Sequence, residues 1–143
     1  MKDRSHEDDA GTINPKGWAL PRGYTNGVVA SGRQVFLAGQ IGWDPMHCAF
    51  ATDDFADQTR QALTNIVTLL KEGGATPAHL VRLTWYVTSR EEYVASRREI
   101  GKAYREVIGN HYPPMSVIVV SGLLEERAKV EIEATAVIPD RAV

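Results

Sequence analysis

Two glutamates, Glu131 and Glu133, lie two positions apart in a segment that alternates polar and apolar residues from 129 to 137. Successive side chains of a strand point to opposite faces, so both carboxylates share one face and the apolar residues share the other. A carboxylate beside an electrophilic carbon can position a water molecule and accept its proton. The same pattern is typical of glutamates that simply face solvent, because ionised side chains are rarely buried. The spacing leaves both interpretations open for Glu131, whereas we expect Glu133 to have a structural role.

Histidine and cysteine residues are the other candidates for catalysis or metal binding. His111 lies in a predicted loop, where it could carry a proton near neutral pH or could simply be exposed. His47 and Cys48, which follow Asp44 and Pro45, are adjacent residues of the types that bind metal ions and could supply two ligands. The four histidines are scattered and no second pair stands at ligand spacing, so we expect no metal. Cys48 has no identifiable base beside it, and we do not expect it to act as a nucleophile.

The bulk composition narrows the class of protein. The chain has 143 residues, 43% of them hydrophobic and 24% charged, which is typical of one soluble domain with a single core. Its formal net charge of -2 gives no basic excess for binding nucleic acid. The single cysteine cannot form an intrachain disulfide, the first residues are polar and acidic, and no stretch approaches the roughly 20 apolar residues of a membrane span. We therefore expect a cytoplasmic protein with no nucleic-acid or membrane partner.

The predicted organisation is a flexible N-terminal arm over residues 1–20 and one domain over residues 21–143. Helical periodicity or capping signals mark residues 53–72, 77–80 and 90–108. Thr52 is the expected N-cap of the first helix, and Thr76 that of the short turn. Ser89 and Glu92 have the spacing of a capping box at the start of the last helix.

Strands are predicted between these helices. We predict strands where the sequence is rich in β-branched and aromatic residues or alternates in polarity. These segments are residues 27–30, 33–38, 81–87, 115–120 and 129–137. Ser31 and Gly32 are expected to turn the first two into a tight hairpin. The order β-β-(β)-α-β-α-β-β indicates an α+β fold in which two helices cover one face of a mixed sheet. Trp85 and the run 115–120 bring apolar residues to both faces, so we expect the second face to be covered by self-association.

Several short motifs, in their order and spacing, resemble one protein family. They are Tyr24-Thr25-Asn26-Gly27, Val35-Phe36-Leu37-Ala38-Gly39-Gln40-Ile41, the helix residues Gln58, Ala62, Leu63, Asn65 and Ile66, the strand Val81-Arg82-Leu83-Thr84-Trp85-Tyr86-Val87, and Tyr112-Pro113-Pro114 followed by Val130-Glu131-Ile132-Glu133-Ala134. Together they resemble the Rid family (YjgF/YER057c/UK114, also called the L-PSP endoribonuclease family) over about residues 22–139.

This resemblance implies a fold, an assembly and an activity. Rid proteins have a fold similar to that of bacterial chorismate mutase, with about six strands in a mixed sheet and two helices on one face. Three subunits form a homotrimer whose sheets line a central barrel, with small-molecule clefts between subunits. Well-studied members hydrolyse reactive enamines and imines, such as 2-aminoacrylate, to a keto acid and ammonia without a metal or organic cofactor. Others were named endoribonucleases or translation inhibitors.

The resemblance also implies a set of site residues. By position, Glu131 would help to place the attacking water, as the catalytic residue. The expected ligand-binding residues are Tyr24, Gly39, Gln40, Trp85, His111 and Met115. Each has an ordinary structural alternative: Tyr24 could pack in a turn, Gly39 could serve a tight bend, and Trp85 could be a core aromatic.

One site position departs from the family pattern. Where deaminases of the family carry an arginine that pairs with the substrate carboxylate, this chain has Met115, within Pro113-Pro114-Met115-Ser116. A planar guanidinium binds both carboxylate oxygens, and a thioether cannot do so. The chain thus resembles a branch without the deaminase arginine. Either its ligand lacks a carboxylate, or another cation such as Arg22 or Arg127 takes over, or the chemistry is lost.

Three functional hypotheses follow. The first is a cofactor-free hydrolase or deaminase of an enamine or imine intermediate in catabolism, acting at inter-subunit clefts, but not a standard 2-aminoacrylate deaminase. The second is a homotrimer that binds a small metabolite without turning it over, which the apolar Met115 favours. A ribonuclease or translation inhibitor comes third, because the net negative charge and the lack of a paired-histidine or basic groove argue against RNA cleavage.

Overall fold

The structure, a computed structural model, describes residues 11–140. Within that range the strands are β1 (Thr12–Ile13), β2 (Gly27–Val28), β3 (Arg33–Ile41), β4 (Leu80–Val87), β5 (Met115–Val119) and β6 (Val130–Ile138). The helices are α1 (Phe55–Glu72), a 3₁₀ helix (Pro77–His79), α2 (Arg90–Ala95) and α3 (Arg97–Val107). This order confirms the α+β class. None of these helices is both long enough and apolar enough to cross a membrane.

Four strands form the main sheet in the order β3-β6-β4-β5. β6 pairs antiparallel with β3 and β4, and β5 is parallel to β4 at the edge. The other two strands, β1 and β2, form a separate antiparallel pair. The resemblance implies about six strands in one sheet, whereas the structure divides its six strands between a four-stranded mixed sheet and a two-stranded one.

The N-terminal region differs from the predicted hairpin. β2 pairs with β1 instead of β3, and β3 pairs with β6. Gly32 accounts for the difference: its φ is +143°, and a Cβ here would stand 2.1 Å from the carbonyl oxygen of Ile138, so only glycine fits. The chain therefore enters β3 already beside β6, and the hairpin at Ser31 and Gly32 is wrong. Of the predicted arm, residues 1–10 lie outside the described residues, and Thr12–Ile13 forms β1.

One face of the main sheet carries the hydrophobic core. α1 packs on β3 and β6, and α3 packs against α1. The alternation predicted for residues 129–137 is confirmed by the burial of the apolar side chains, which are at most 3% exposed: Val130, Ile132, Ala134 and Ala136. Leu83 and Val87 of β4 are fully buried on the same face. Full burial of each such aliphatic side chain contributes about 1.5–3 kcal/mol, so this face dominates the stability of the fold.

The start of α1 differs by two residues from its prediction. The helix begins at Phe55 and its N-cap is Asp54, whose carboxylate accepts a hydrogen bond from the Asp57 amide at 3.0 Å. Thr52 was expected in that role, but its hydroxyl accepts from the Asp54 amide at 3.0 Å and thus orders the loop before the helix. A carboxylate at this end also complements the positive helix terminus.

The predicted helix over residues 90–108 is interrupted. It breaks at Ser96 into α2 and α3. Ser89 caps α2 as predicted, by accepting a hydrogen bond from the Glu92 amide at 3.1 Å. The second half of the capping box is wrong, because the Glu92 carboxylate accepts instead from Lys129 Nζ at 2.7 Å. This contact ties α2 to the segment that leads into β6. Thr76 occupies the N-cap of the 3₁₀ helix, as predicted.

A buried glutamine fixes the start of β6 against α1. The Gln58 side chain is fully buried; its amide nitrogen donates to the carbonyl oxygens of Thr52 and Arg127, and its oxygen accepts from the Lys129 amide at 2.9 Å. Gly42 makes room for it, since a Cβ there would lie 2.4 Å from the Gln58 carbonyl oxygen. Because a buried amide is costly unless it is bonded, these bonds hold β6 in one position.

Candidate functional site

The face of the main sheet that the helices leave uncovered mixes apolar and ionisable groups. Its side chains alternate with the core residues and include Phe36, Tyr86, Ile118, Glu131 and Glu133. Phe36 is 72% exposed and Ile118 is 43% exposed. We call this surface the open face. Both glutamates of the sequence prediction lie on it, as their spacing requires.

A cleft of about 450 Å³ lies on the open face beside the start of β5. Its lining includes Tyr24, Asn26, Arg82, Tyr86, Met115 and Glu133. We call it the open-face cleft. The loop that carries Tyr24 is anchored there by a parallel bridge between Thr25 and Pro114 and by a hydrogen bond from the Thr25 hydroxyl to the Tyr112 carbonyl. Its volume is typical of a small-molecule site.

Tyr86 and Glu133 form the polar centre of this cleft. The Tyr86 hydroxyl donates a hydrogen bond to Glu133 Oε1 at 3.0 Å. That bond, with smaller contributions from desolvation and from the negative charges of Glu133 and Glu131, raises the pKa of Tyr86 above its ordinary value. Tyr86 thus acts as a donor to Glu133, while the remaining lone pairs of the Glu133 carboxylate stay available to a ligand or water.

Glu131 is close to Gly39 but outside the open-face cleft. A Cβ on Gly39 would lie 2.7 Å from the Glu131 carboxyl carbon, so the side chain rests directly on the backbone of β3. β3 is irregular here, with a register shift between Leu37 and Gln40. The side-chain nitrogen of Gln40, Nε2, donates to the Ala38 carbonyl oxygen at 3.1 Å. Gly39, Gln40 and Glu131 thus form one group beside the cleft and do not line it.

A second cleft, of about 640 Å³, lies on the other side of the start of β5. The helices do not cover this edge: Val117 and Val119 are 39% and 54% exposed, although their partners on β4 are buried. Side chains at this second site include Trp85, Tyr93, Arg97, Tyr104, Arg105 and Val117. We call it the helix-side cleft. Tyr24 and Met115 line both clefts, so Met115 stands between them.

Trp85 belongs to the core and to the wall of the helix-side cleft at once. It is only 3% exposed, and its indole nitrogen has no hydrogen-bond partner among the described residues. Its ring stacks on Tyr104, with centroids 6.5 Å apart. The Tyr104 hydroxyl donates to the His111 carbonyl at 2.6 Å, and burial raises the pKa of Tyr104. Trp85 is therefore a core aromatic that also borders a cleft, and its role in ligand binding stays a prediction.

Two other residues from the sequence prediction lie elsewhere. The His111 ring contacts the Leu80 carbonyl through Nε2 at 2.7 Å, and it lines neither cleft. Its bond ties the segment before β5 to the start of β4. Arg127 donates to Asp53 Oδ1 at 2.9 Å and lies over the Phe50 ring, so it is no substitute for the missing arginine. Arg22, the other suggested cation, lines the helix-side cleft.

The pair His47-Cys48 lies in an exposed loop. His47 Nδ1 contacts Asp44 Oδ2 at 2.6 Å, and this hydrogen bond is the main cause that lowers the pKa of Asp44. Cys48 is exposed and has a positive φ of 51°. Between residues 11 and 140, no three histidine, cysteine, aspartate or glutamate side chains are grouped as metal ligands would be.

Sequence reasoning missed three polar residues of the open-face cleft. Glu133 was assigned a structural role, and Tyr86 and Arg82 were not considered. The alternation along β4 could have found them, because Arg82, Thr84 and Tyr86 must face away from the buried Leu83 and Trp85. Their proximity to Glu133 depends on the pairing of β4 with β6, which the pattern of one strand does not contain.

Comparisons with known proteins agree with the fold and the motifs. The family model described as Endoribonuclease L-PSP matches residues 19–138. A RutC family protein of Pyrococcus horikoshii is 30% identical over 81% of this chain and 88% of its own length. The goat (Capra hircus) 2-iminobutanoate/2-iminopropanoate deaminase is 27% identical over 80% of this chain and 79% of its own length. A Yersinia pestis protein of unknown function in the conserved Rid family, YyfB, has a TM-score of 0.76 and is 32% identical, covering 89% of this chain and 97% of that one.

The structure defines a class of small α+β protein that has its α-helices on one face of a mixed sheet, an open second face and clefts at the edge strand. The chain belongs to the endoribonuclease L-PSP family, which is the Rid family that its motifs resemble.

Proposed function

We propose that the protein is a cofactor-free hydrolase of a reactive enamine or imine, a small intermediate of catabolism, and that it acts in the open-face cleft. The observation that carries this proposal is the Tyr86–Glu133 pair, a phenol and a carboxylate 3.0 Å apart in a cleft that Arg82 also lines. The name of the goat relative, an iminobutanoate and iminopropanoate deaminase, supports the same reaction class.

The hydrolysis needs one group that accepts a proton and later returns it. Water adds to the imine carbon while Glu133 accepts one of its protons and passes it to the nitrogen, which gives a carbinolamine with a hydroxyl and an amino group on the same carbon. Glu133 then accepts the hydroxyl proton and passes it to the nitrogen as the C–N bond breaks, so ammonia leaves a keto compound behind. The overall change is one water consumed and one ammonia released, with no change in oxidation state. Tyr86 orients the carboxylate through its hydrogen bond.

Met115 makes a small imino acid an unsuitable substrate. Its thioether cannot form the paired hydrogen bonds that an arginine makes with a carboxylate, and such charge-assisted bonds contribute about 1.5–3 kcal/mol each. The side chain instead offers apolar, adaptable surface. Among residues 11–140, Arg82 is the cation that lines this cleft, and it can pair with a negative group on the substrate. We therefore expect a substrate with a larger apolar part than 2-aminoacrylate.

We propose also that the protein is a homotrimer in which the open faces of three subunits come together. The exposed Phe36 and Ile118, on the two outer strands of the open face, support this assembly, because exposed apolar side chains are stabilised when a partner subunit covers them. Sedimentation equilibrium should give a mass of about three times 15.8 kDa. A mass of one or two chains would contradict the assembly.

The activity can be tested by competition with a trap. An amino-acid oxidase generates imines from amino acids of increasing side-chain size, and semicarbazide captures whatever imine survives. The protein should lower the yield of semicarbazone, most strongly for the larger apolar side chains. If it lowers the yield for none of them, the proposal fails. Recovery of an unchanged ligand from the cleft under the same conditions would favour a binding protein instead.

A further inference from the structure

Two loops outside the clefts expose large apolar side chains. Met46, in the loop of residues 43–54, is 85% exposed, and Leu124, in the loop of residues 120–129, is 99% exposed. Neither residue lines the open-face cleft or the helix-side cleft. A single exposed apolar side chain is ordinary, whereas several that share one surface and have charged neighbours are typical of a protein-binding site.

Arg127 joins the two loops into one surface. From the second loop, its guanidinium donates to the Phe50 carbonyl at 3.4 Å and to Asp53 Oδ1 at 2.9 Å, both in the first loop. It also lies 5.4 Å from the centre of the Phe50 ring, which packs against the Trp43 ring with centroids 5.8 Å apart. Tryptophan, phenylalanine, arginine and methionine are enriched where proteins bind each other. We call residues 43–54 and 120–129 together the two-loop surface.

Hydrogen bonds hold both loops in one conformation. The Asp44 carboxylate accepts from the Met46 amide at 2.9 Å and so holds the turn that carries Met46. The buried Gln58 side chain donates to the Thr52 carbonyl at 3.1 Å and to the Arg127 carbonyl at 3.0 Å, one in each loop. A surface that is ordered before binding loses less conformational entropy when a partner binds.

The two-loop surface carries an excess of negative charge. Its two strongly basic residues, Arg127 and Lys129, are already paired with Asp53 and Glu92. Its other exposed carboxylates form no ion pair within residues 11–140: Asp54, Glu125 and Glu126. Because these charges accompany exposed apolar side chains, a complementary partner is both basic and apolar.

We propose that the two-loop surface binds a basic amphipathic segment of another protein. The apolar side of such a segment covers Met46 and Leu124, and its lysine and arginine side chains pair with the surrounding carboxylates. Methionine suits this role, because its unbranched side chain adapts to the shape of a partner. The negative charge disfavours a nucleic acid or an anionic membrane as the partner. The surface is separate from both clefts, and its binding does not depend on imine hydrolysis.

Fluorescence anisotropy with the full-length protein tests the surface. The probe is a labelled peptide of leucine and lysine whose leucines share one helix face. A peptide of the same composition, scrambled so that its leucines lie on all sides, should bind at least about ten-fold more weakly. Met46→Ser and Leu124→Ser should each weaken the amphipathic peptide about ten-fold, because each removes a central apolar contact. Leu20→Ser removes another exposed leucine, outside the two loops, and should change the Kd less than about two-fold.

A pair of double variants tests the charges. Glu125→Gln combined with Glu126→Gln should weaken the amphipathic peptide about ten-fold at low salt and reduce the dependence of its affinity on salt. Glu72→Gln combined with Glu99→Gln removes two exposed carboxylates of the helices and should leave the Kd within about two-fold. All the substituted side chains are exposed, so every variant should keep the circular dichroism of the wild type.

Several results would overturn the proposal. They are no saturable binding of the amphipathic peptide, equal binding of the scrambled peptide, or an equal loss with Leu20→Ser and Leu124→Ser. Self-association of the protein without peptide that Leu124→Ser abolishes would show that a second copy covers the surface instead. Glu133→Gln should keep peptide binding, so the failure of the hydrolase proposal and the failure of this one are distinguishable.

Discussion

The two faces of the main sheet are made by the same strands and have opposite roles. On β4, Leu83 and Val87 are fully buried, whereas Thr84 and Tyr86, which alternate with them, point to the open face. Because side-chain direction alternates at every residue, a slip of one position would exchange the two sets. The core pattern that fixes the register therefore also fixes where Tyr86 meets Glu133.

The two clefts beside the edge strand β5 also differ from each other in the chemical groups that line them. The open-face cleft offers a carboxylate and a phenol that can move and orient protons, whereas the helix-side cleft offers cations and aromatic rings that can hold a ligand. Tyr24 and Met115 belong to both. A change at Met115 is therefore expected to alter both clefts, and changes on α3 only one.

The largest effect is expected on the free energy of unfolding, when one residue on the helix-covered face of the sheet is truncated. Leu83→Ala should lower the free energy of unfolding by about 2–5 kcal/mol, because it leaves a cavity under the helices. Thr84→Ala, the next residue on the open face, should change it by less than about 0.5 kcal/mol. Urea unfolding at one fixed protein concentration measures both. Equal losses would mean that the open face is packed as tightly as the core.

A smaller effect is expected from restoring the family arginine. Met115→Arg should raise the rate of hydrolysis of small 2-imino acids about ten-fold, equivalent to about 1.4 kcal/mol, because the new guanidinium can pair with the substrate carboxylate. Met115→Leu, which keeps the apolar volume, is the control and should leave the preference for larger substrates in place. If Met115→Arg keeps the wild-type preference for larger substrates, residue 115 does not select the substrate.

The smallest effect concerns the titration of Tyr86. Its pKa is raised above 10.0 because the neutral phenol donates to Glu133. This bond therefore contributes to stability fully at pH values below the ordinary tyrosine pKa, and the contribution is lost as the pH rises through the raised value. The difference in tyrosinate absorbance between wild type and Tyr86→Phe gives the midpoint, which should fall toward 10 in a Glu133→Gln background. A wild-type titration midpoint at pH 10 or below would contradict the hydrogen bond from Tyr86 to Glu133.

The elements that depend on local chemistry could be predicted from the sequence. Residues 129–137 alternate because one face of β6 is core, and Ser89 caps α2 through a hydrogen bond to a residue three positions away. The failures have long-range causes. The hairpin at Ser31 and Gly32 is absent because Gly32 passes close to Ile138, more than 100 positions along the chain.

The same distinction applies to the candidate site. Tyr24 and Met115 were predicted from motifs and do line clefts, and Trp85 lines one as well as the core. The catalytic role of Glu131 stays a prediction: it shares the open face with Glu133, but it lies on Gly39 at the irregular pairing of β3 with β6, outside the open-face cleft. His111 was a reasonable candidate by residue type, and its bond to Leu80 could not be foreseen from a single segment.

The most direct test of the central claim compares these two glutamates in one assay. Both are on the open face and on the same strand, so Glu131→Gln is a matched control for Glu133→Gln. With the imine that the wild type hydrolyses fastest, Glu133→Gln should lower the rate of hydrolysis by about 100-fold or more, the usual contribution of a general base, and Glu131→Gln by less than about five-fold. Full activity in Glu133→Gln, or the larger loss in Glu131→Gln, would contradict the account.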